Sequence, residues 1–121
     1  VDEAIAMAAM YTTNHLSCKA IISISSSGKT PLIMSRIRTA IPIYGFSSSI
    51  KTLRKMTLYR GVTPVFFEGK KYDSVEALNN AALNCFTDRV HLPVGQRVLL
   101  TKGDNPGVQG GTNTMKILEM K

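Results

Sequence analysis

The sequence predicts a three-layer α/β/α fold with a mostly parallel, mixed five-stranded sheet whose last strand is antiparallel. Short apolar runs rich in β-branched residues alternate with helix-like segments through the first three strands, a pattern typical of right-handed crossovers between parallel strands. The last two strands are separated by a loop of about ten residues and no helix, so we expect them to pair antiparallel. The 121 residues, 44% hydrophobic, suit a single domain with its own core.

The first three elements follow from composition. Residues 2–15 are small and apolar after two acidic residues, which predicts a helix. Because this helix is apolar on more than one face, we expect it to be sandwiched between the sheet and something else. The unalternating run Ala20–Ile24 predicts a strand buried on both faces. A second helix is expected over residues 31–39, with Thr30 as its N-cap and Pro31 at the first helical position.

The later elements are less regular. The remaining strands are expected at residues 41–46, 62–67, 97–101 and 112–119. A basic amphipathic helix follows the second strand and directs Ile50, Leu53 and Met56 inward. Asp73, with Glu76 three positions on, resembles a capping box and predicts the start of the last helix. The inward side of that helix carries Val75, Leu78, Ala82, Cys85 and Phe86.

The loop after the first strand reads Ser25-Ser26-Ser27-Gly28-Lys29-Thr30 and has the composition of an anion site. Gly28 permits close approach of the backbone, and the hydroxyls, the ammonium and the N–H groups of the next helix can bind a phosphate. A nucleotide-binding P-loop would need glycine at the position of Ser23, so that match fails. A serine-rich turn that only caps a helix remains an equal alternative.

A second loop, residues 102–114, contains four glycines and is long for a hairpin connection. It is either an ordinary hairpin connection or a lid that offers Lys102 and backbone N–H groups to an anion. Both loops begin at the carboxyl ends of strands, where ligands collect in such sheets. We therefore expect them to face each other across one pocket.

The charge distribution favours an anionic partner. The formal net charge is +7, and no acidic residue lies between Glu3 and Glu68. Phosphorylated metabolites, nucleic acid, an acidic protein face or simply a solvated basic surface are all compatible with this field. The chain has no Trp and no helix-turn-helix, zinc-finger or RNP-like pattern, so no nucleic-acid partner is expected.

The positions of the cysteines, histidines and apolar residues argue against a disulfide-bonded, a metal-binding and a membrane protein. Cys18 and Cys85 are far apart, which predicts free thiols in a reducing compartment and hence a cytoplasmic protein. His15 and His91 have no carboxylate or cysteine at ligand spacing, so no metal site is expected. Without a signal peptide or a run of roughly 20 apolar residues, no membrane partner is expected either.

Three motifs in this order resemble the C-terminal domain of pyruvate kinase. They are the Ser-Gly-Lys-Thr that follows the first strand, the block Thr-Leu-Tyr-Arg-Gly-Val-Thr-Pro-Val at residues 57–65, and Gly-Thr-Asn-Thr-Met-Lys at residues 111–116. The resemblance covers essentially all 121 residues. The second motif and the long final loop are most similar to bacterial isozymes that are activated by AMP or sugar monophosphates.

The resemblance implies a role without catalysis for residues 1–121, as one domain of a larger enzyme. The parent would transfer a phosphoryl group from phosphoenolpyruvate to ADP on a separate (β/α)8 barrel, with Mg²⁺ and usually K⁺, as a homotetramer. This domain would supply subunit contacts and bind a phosphorylated activator. The residues implied in that site are Ser25, Ser26, Ser27, Gly28, Lys29, Thr30, Lys102, Gly110, Gly111 and Thr112.

Two departures bear on the activator. Many members activated by fructose 1,6-bisphosphate have arginine at the position of Lys29, and lysine does not offer the same bidentate fork. The final loop is also longer than theirs and lacks their aromatic-plus-arginine pattern. These differences favour a monophosphate such as AMP, ribose 5-phosphate or glucose 6-phosphate. A stand-alone phosphate- or nucleotide-binding module is the alternative.

Overall fold

The computed structural model describes residues 2–37, 41–103 and 112–120. Helices and strands alternate along most of the chain before it ends in two consecutive strands. In chain order the elements are α1 (Asp2–Leu16), β1 (Ala20–Ile24), α2 (Lys29–Ser35), β2 (Ile43–Ser47), α3 (Ile50–Met56), β3 (Val62–Phe66), a 3₁₀ turn (Gly69–Lys71), α4 (Val75–Thr87), β4 (Arg97–Gly103) and β5 (Thr112–Glu119).

The five strands form one mixed sheet in the order β3-β2-β1-β4-β5. Strands β1 to β4 are mutually parallel, and β5 runs antiparallel to β4. The chain moves in one direction from β1 to β3 and then returns past β1 to add β4. Because crossovers are right-handed, this reversal places α4 on the face opposite to α2 and α3. The predicted fold class is confirmed.

Each face of the sheet buries its own apolar core. Residues Ile21, Met34, Ile43, Met56 and Leu99 belong to the core beneath α1, α2 and α3. The core beneath α4 is larger and more aromatic. It contains Ile22, Phe46, Val65, Phe67, Leu78, Phe86, Val98 and Leu100. The alternation of Ile21 and Ile22 between the two cores shows that β1 is covered on both sides, as its unalternating sequence predicts.

The second helix begins earlier than predicted. Gly28 is its N-cap residue and has a left-handed backbone (φ 79°), so the helix starts at Lys29. Thr30 is therefore not the N-cap, and Pro31 is the third helical residue, where its missing N–H still costs no intrahelical bond. The helix ends at Ser35, and the expected residues 38–39 lie outside the described residues.

Predictions at the starts of α3 and α4 are wrong in two respects: the N-cap of α4 is misplaced by one residue, and the first residue of each helix faces solvent instead of the core. The N-cap of α4 is Ser74, whose hydroxyl accepts a hydrogen bond from the Ala77 N–H at 3.0 Å, rather than Asp73. Ile50 and Val75 are exposed, although an inward direction was expected for both. Each is the first residue of its helix, ahead of the turn that packs on the sheet.

Helix α1 buries only one of its apolar faces within the described residues. Ala6, Ala9 and Met10 are buried, while Met7 and Tyr11 are 56% and 64% exposed. That a further structure covers this outer face stays a prediction. None of the helices in the described part of the chain has the length and apolar character needed to cross a membrane.

Candidate functional site at the carboxyl edge of the sheet

The serine-rich loop lies at the carboxyl edge of the sheet, where β1 has neighbours on both sides. Strand β1 pairs in parallel with β2 and with β4. The Ser25 N–H donates to the Phe46 carbonyl at 2.9 Å and extends the β1–β2 ladder into the loop. Since the chain leaves β1 in one direction and adds β4 in the other, this is the edge at which α/β sheets form ligand crevices.

The loop is stabilised by hydrogen bonds between its own serines and backbone. The Gly28 N–H donates to Ser25 Oγ at 2.9 Å, and the Lys29 N–H donates to Ser27 Oγ at 3.3 Å. Two of the N–H groups at the start of α2 are thus used inside the loop. A hydroxyl that accepts a bond keeps its own proton to donate, so Ser25 and Ser27 still have donors to offer an anion.

Gly28 allows α3 to approach the loop closely. Its backbone φ of +79° is a value that residues other than glycine rarely adopt. A Cβ at this position would lie 3.2 Å from Thr52 Cγ2, 3.6 Å from Met56 Cγ and 3.6 Å from the Tyr59 hydroxyl. The loop therefore packs directly against α3 and the turn that follows it.

Thr52 is a contact of the loop that the sequence did not reveal. Its hydroxyl donates to the Ser26 carbonyl oxygen at 2.6 Å across 26 positions of sequence. The signal in the sequence is a threonine two positions into a helix whose neighbouring side chains, Lys51 and Arg54, are charged and exposed. A polar residue on the buried side of such a helix has a partner more often than not.

A buried hydroxyl pair joins the strands on either side of the crevice. Thr101 Oγ1 donates to Ser23 Oγ at 3.0 Å, and the two residues are partners in the β1–β4 register. Ser23 is the one polar residue of β1, and Thr101 directly follows the apolar run Val98–Leu100 of β4; these two interruptions are the signal that sequence reasoning missed. The bond fixes the carboxyl ends of β1 and β4 side by side.

The structure places the two lysines of the predicted site differently. Lys29 is exposed at the start of α2. Lys102 is only 3% exposed, and alternation along β4 puts it on the α4 side of the sheet with Leu100, whereas the loop leads to α2 on the other side. Gly110 and Gly111 lie outside the described residues, and the Thr112 backbone pairs opposite Gly103 at the start of β5.

The helix that packs against the loop, α3, carries exposed positive charge. Lys51, Arg54 and Lys55 are all exposed on that helix. Arg54 and Lys55 occupy its last turn, where cations complement the helix dipole. These three side chains therefore face solvent, as Lys29 does at the start of α2.

Within the described residues, the cysteines and the other potential metal ligands form neither a disulfide nor a ligand cluster. Neither Cys18 nor Cys85 forms a disulfide. Burial raises the pKa of the Cys18 thiol, and the nearby Arg97 guanidinium lowers it by less, so the thiol stays neutral and weakly reactive near neutral pH. The described residues contain no group of three or more His, Cys, Asp and Glu side chains placed to hold a metal ion.

A mixed, mostly parallel sheet with helices on both faces defines an α/β domain, and its hydroxyl-rich loop lies at the carboxyl edge of the sheet, where ligand crevices form in such domains. The family described as "Pyruvate kinase, alpha/beta domain" matches residues 3–118. The chain belongs to this family.

Bacterial relatives agree with this assignment along the whole chain. It is 48% identical to "Pyruvate kinase" of Buchnera aphidicola subsp. Baizongia pistaciae over 99% of this chain and 25% of the relative. It is 44% identical to "Pyruvate kinase II" of Salmonella typhimurium over 100% of this chain and 25% of the relative. For "Pyruvate kinase" of Haemophilus influenzae the identity is 41%, over 94% and 23%. The chain thus spans about a quarter of the length of these relatives.

Proposed function

We propose that this chain is the C-terminal regulatory and assembly domain of a pyruvate kinase and that its serine-rich loop binds the phosphate of an allosteric activator. The observation that supports this most strongly is the placement of the loop, residues 25–30, at the carboxyl edge between β2 and β4, together with its hydroxyl content. The family match and the relatives named above support the parent enzyme.

The proposed phosphate contacts come from hydroxyls, backbone and one exposed cation. Ser25 and Ser27 supply O–H donors, and Lys29 adds a positive charge without the fixed planar geometry of a guanidinium. Thr30, the other hydroxyl of the predicted site, is only 1% exposed. Charge-assisted hydrogen bonds contribute about 1.5–3 kcal/mol each. Since allosteric coupling needs a differential of only about 1–3 kcal/mol between two states, a few such bonds are enough.

The second loop completes the site in this proposal. Gly110, Gly111 and Thr112 would close over the ligand with backbone N–H groups, and Lys102 would add charge from the α4 side. The ligand is a monophosphate such as AMP, ribose 5-phosphate or glucose 6-phosphate, because a single phosphate cradle with lysine does not call for a second phosphate group.

The remaining functions belong to the parent protein. Phosphoryl transfer from phosphoenolpyruvate to ADP, with Mg²⁺ and K⁺, takes place on a barrel domain outside this chain, and the chain itself is not catalytic. The exposed apolar side of α1, with Met7 and Tyr11, is available for contact within a cytoplasmic homotetramer. A stand-alone phosphate-binding module is the alternative, and an upstream sequence without barrel motifs would favour it.

Activator titrations of the full-length enzyme test the proposal. AMP, ribose 5-phosphate and glucose 6-phosphate are titrated into the wild type and a Lys29→Ala variant at a fixed, subsaturating phosphoenolpyruvate concentration. At least one ligand is expected to activate the wild type, and losing one charge-assisted bond should raise its activation constant by about tenfold or more. Lys71→Ala is the control, since Lys71 is exposed beside Tyr72 after β3 rather than in the loop. An unchanged constant in Lys29→Ala would exclude the role given to Lys29.

A further inference from the structure

The loop and α3 form one packed unit. Thr52 and Met56 lie four residues apart on the same face of α3, and Tyr59 follows just beyond its end. All three side chains surround the position where Gly28 lacks a Cβ, at 3.2–3.6 Å. A movement of the loop toward α3 would therefore collide with these side chains.

Within that contact, one hydrogen bond acts on the direction of a loop peptide. Thr52 is 4% exposed. Its hydroxyl donates to the Ser26 carbonyl oxygen at 2.6 Å. In a planar trans peptide the C=O of one residue and the N–H of the next point in opposite directions. Since Thr52 holds the Ser26 carbonyl toward α3, the Ser27 N–H is directed away from α3.

The position of Thr52 is itself fixed. Its backbone N–H donates to Ser49 Oγ at 3.2 Å in the N-terminal cap of α3. The cap continues to the end of β2, because the Ser49 N–H donates to Ser47 Oγ at 3.2 Å and Ser47 is buried. Thr52 is thus linked through Ser49 to Ser47 in β2 by two successive hydrogen bonds, which fix its position relative to the sheet.

We propose that Thr52 is a positioning residue of the effector site, which orients the Ser26–Ser27 peptide so that the Ser27 N–H is presented to a phosphate oxygen. If this peptide turned over, the Ser26 carbonyl oxygen would replace the N–H and repel the anion. The inference rests on the proposed function and adds a residue from outside the loop to it. It assigns α3 the task of pre-organising the loop before the ligand arrives.

Two substitutions separate the hydroxyl of Thr52 from its shape, and a third supplies a matched control. Thr52→Val keeps the branched shape and removes the donor, whereas Thr52→Ser keeps the donor. Thr57 also donates to a carbonyl at 2.6 Å, but to Arg54 within its own turn and at an exposed position, so Thr57→Val removes a bond of the same length that does not reach the loop. All are made in the full-length protein.

Two readouts are collected on each variant. The first is amide hydrogen exchange, without ligand, in the peptide that covers residues 25–30. Exchange is expected to rise about two- to tenfold in Thr52→Val, as for the loss of one neutral hydrogen bond, and to stay near wild type in the other two variants. The second is the activation constant for AMP, ribose 5-phosphate and glucose 6-phosphate, which should rise by a similar factor in Thr52→Val alone.

The outcomes distinguish this inference from the proposed function. Unchanged exchange in Thr52→Val, or equal exchange in Thr52→Ser and Thr52→Val, overturns the positioning role whether or not any ligand activates. Increased exchange with an unchanged activation constant also overturns it, because the peptide would then be oriented without effect on binding. If none of the three ligands activates the wild type, the proposed function fails, and the exchange data alone decide whether Thr52 holds the loop peptide.

Discussion

The hydroxyl side chains of this protein differ in whether they have hydrogen-bond partners. Those of Ser25, Ser27 and Thr52 take part in hydrogen bonds that shape one loop. The Thr13 hydroxyl on α1 is fully buried, and the described residues offer it no hydrogen-bond partner. A buried polar group without a partner loses its hydrogen bonds to water and gains none in the protein. The hydroxyls of Ser25, Ser27 and Thr52 therefore stabilise the loop, whereas that of Thr13 lowers the stability of the fold.

Thr13→Val is expected to stabilise the protein. Valine has nearly the same shape, so packing is preserved while the desolvation cost of the hydroxyl, about 1–3 kcal/mol, is removed. Chemical denaturation monitored by circular dichroism should show a free energy of unfolding higher by about 1 kcal/mol. Thr12→Val, at a half-buried neighbouring position, is the control and should change little. A lower stability of Thr13→Val would show that the hydroxyl has a partner that the described residues do not include.

At the scale of elements, the contact between α3 and the loop explains why Gly28 is needed. The residue combines a left-handed backbone with close packing against Thr52. Gly95 has a similar backbone, with φ +90°, but nothing lies within 4 Å of a Cβ built there. A side chain at Gly95 would meet only backbone strain, whereas one at Gly28 would meet backbone strain and a clash with α3. Substitutions at the two positions therefore distinguish the two effects.

Gly28→Ala and Gly95→Ala make this comparison experimentally. Both are expected to lower the free energy of unfolding by about 1–2 kcal/mol, because alanine is strained at positive φ. Only Gly28→Ala should also weaken activation by a monophosphate, since its Cβ displaces Thr52 or the loop. The readouts are thermal unfolding and the activation constant of the full-length enzyme. Equal activation constants in the two variants would contradict the packing of the loop on α3.

The elements differ in how well the sequence predicts them. The predicted ends of β1 and β5 agree with the structure. In β1 an apolar, β-branched run is bounded by Lys19 and Ser25, and β5 begins directly after two glycines in the sequence. The start of α2 was misplaced because Thr30 and Pro31 resemble a helix start, while the actual cap depends on the φ of Gly28. The link from Thr52 to Ser26 spans two elements, and no local pattern encodes such a contact.

At the scale of the whole molecule, the direction of chain crossing decides where the candidate site lies. Right-handed crossovers in one direction from β1 and a return to β4 bring the ends of those two strands together. The alternation of elements predicts the parallel strands and the antiparallel last one, but not the return of the chain past β1, because alternation alone does not fix the order of strands in the sheet. The burial of Lys102 was not predictable, because it depends on which face of β4 turns toward α4.

The most direct test of the central claim is a crystal structure of the full-length enzyme with the monophosphate that activates it. We expect the phosphate to lie within hydrogen-bond distance of the Ser25 and Ser27 hydroxyls and of the Ser27 N–H, with Thr52 still bonded to the Ser26 carbonyl. A phosphate bound away from residues 25–30, in a crystal where that loop is ordered and unobstructed, would contradict it.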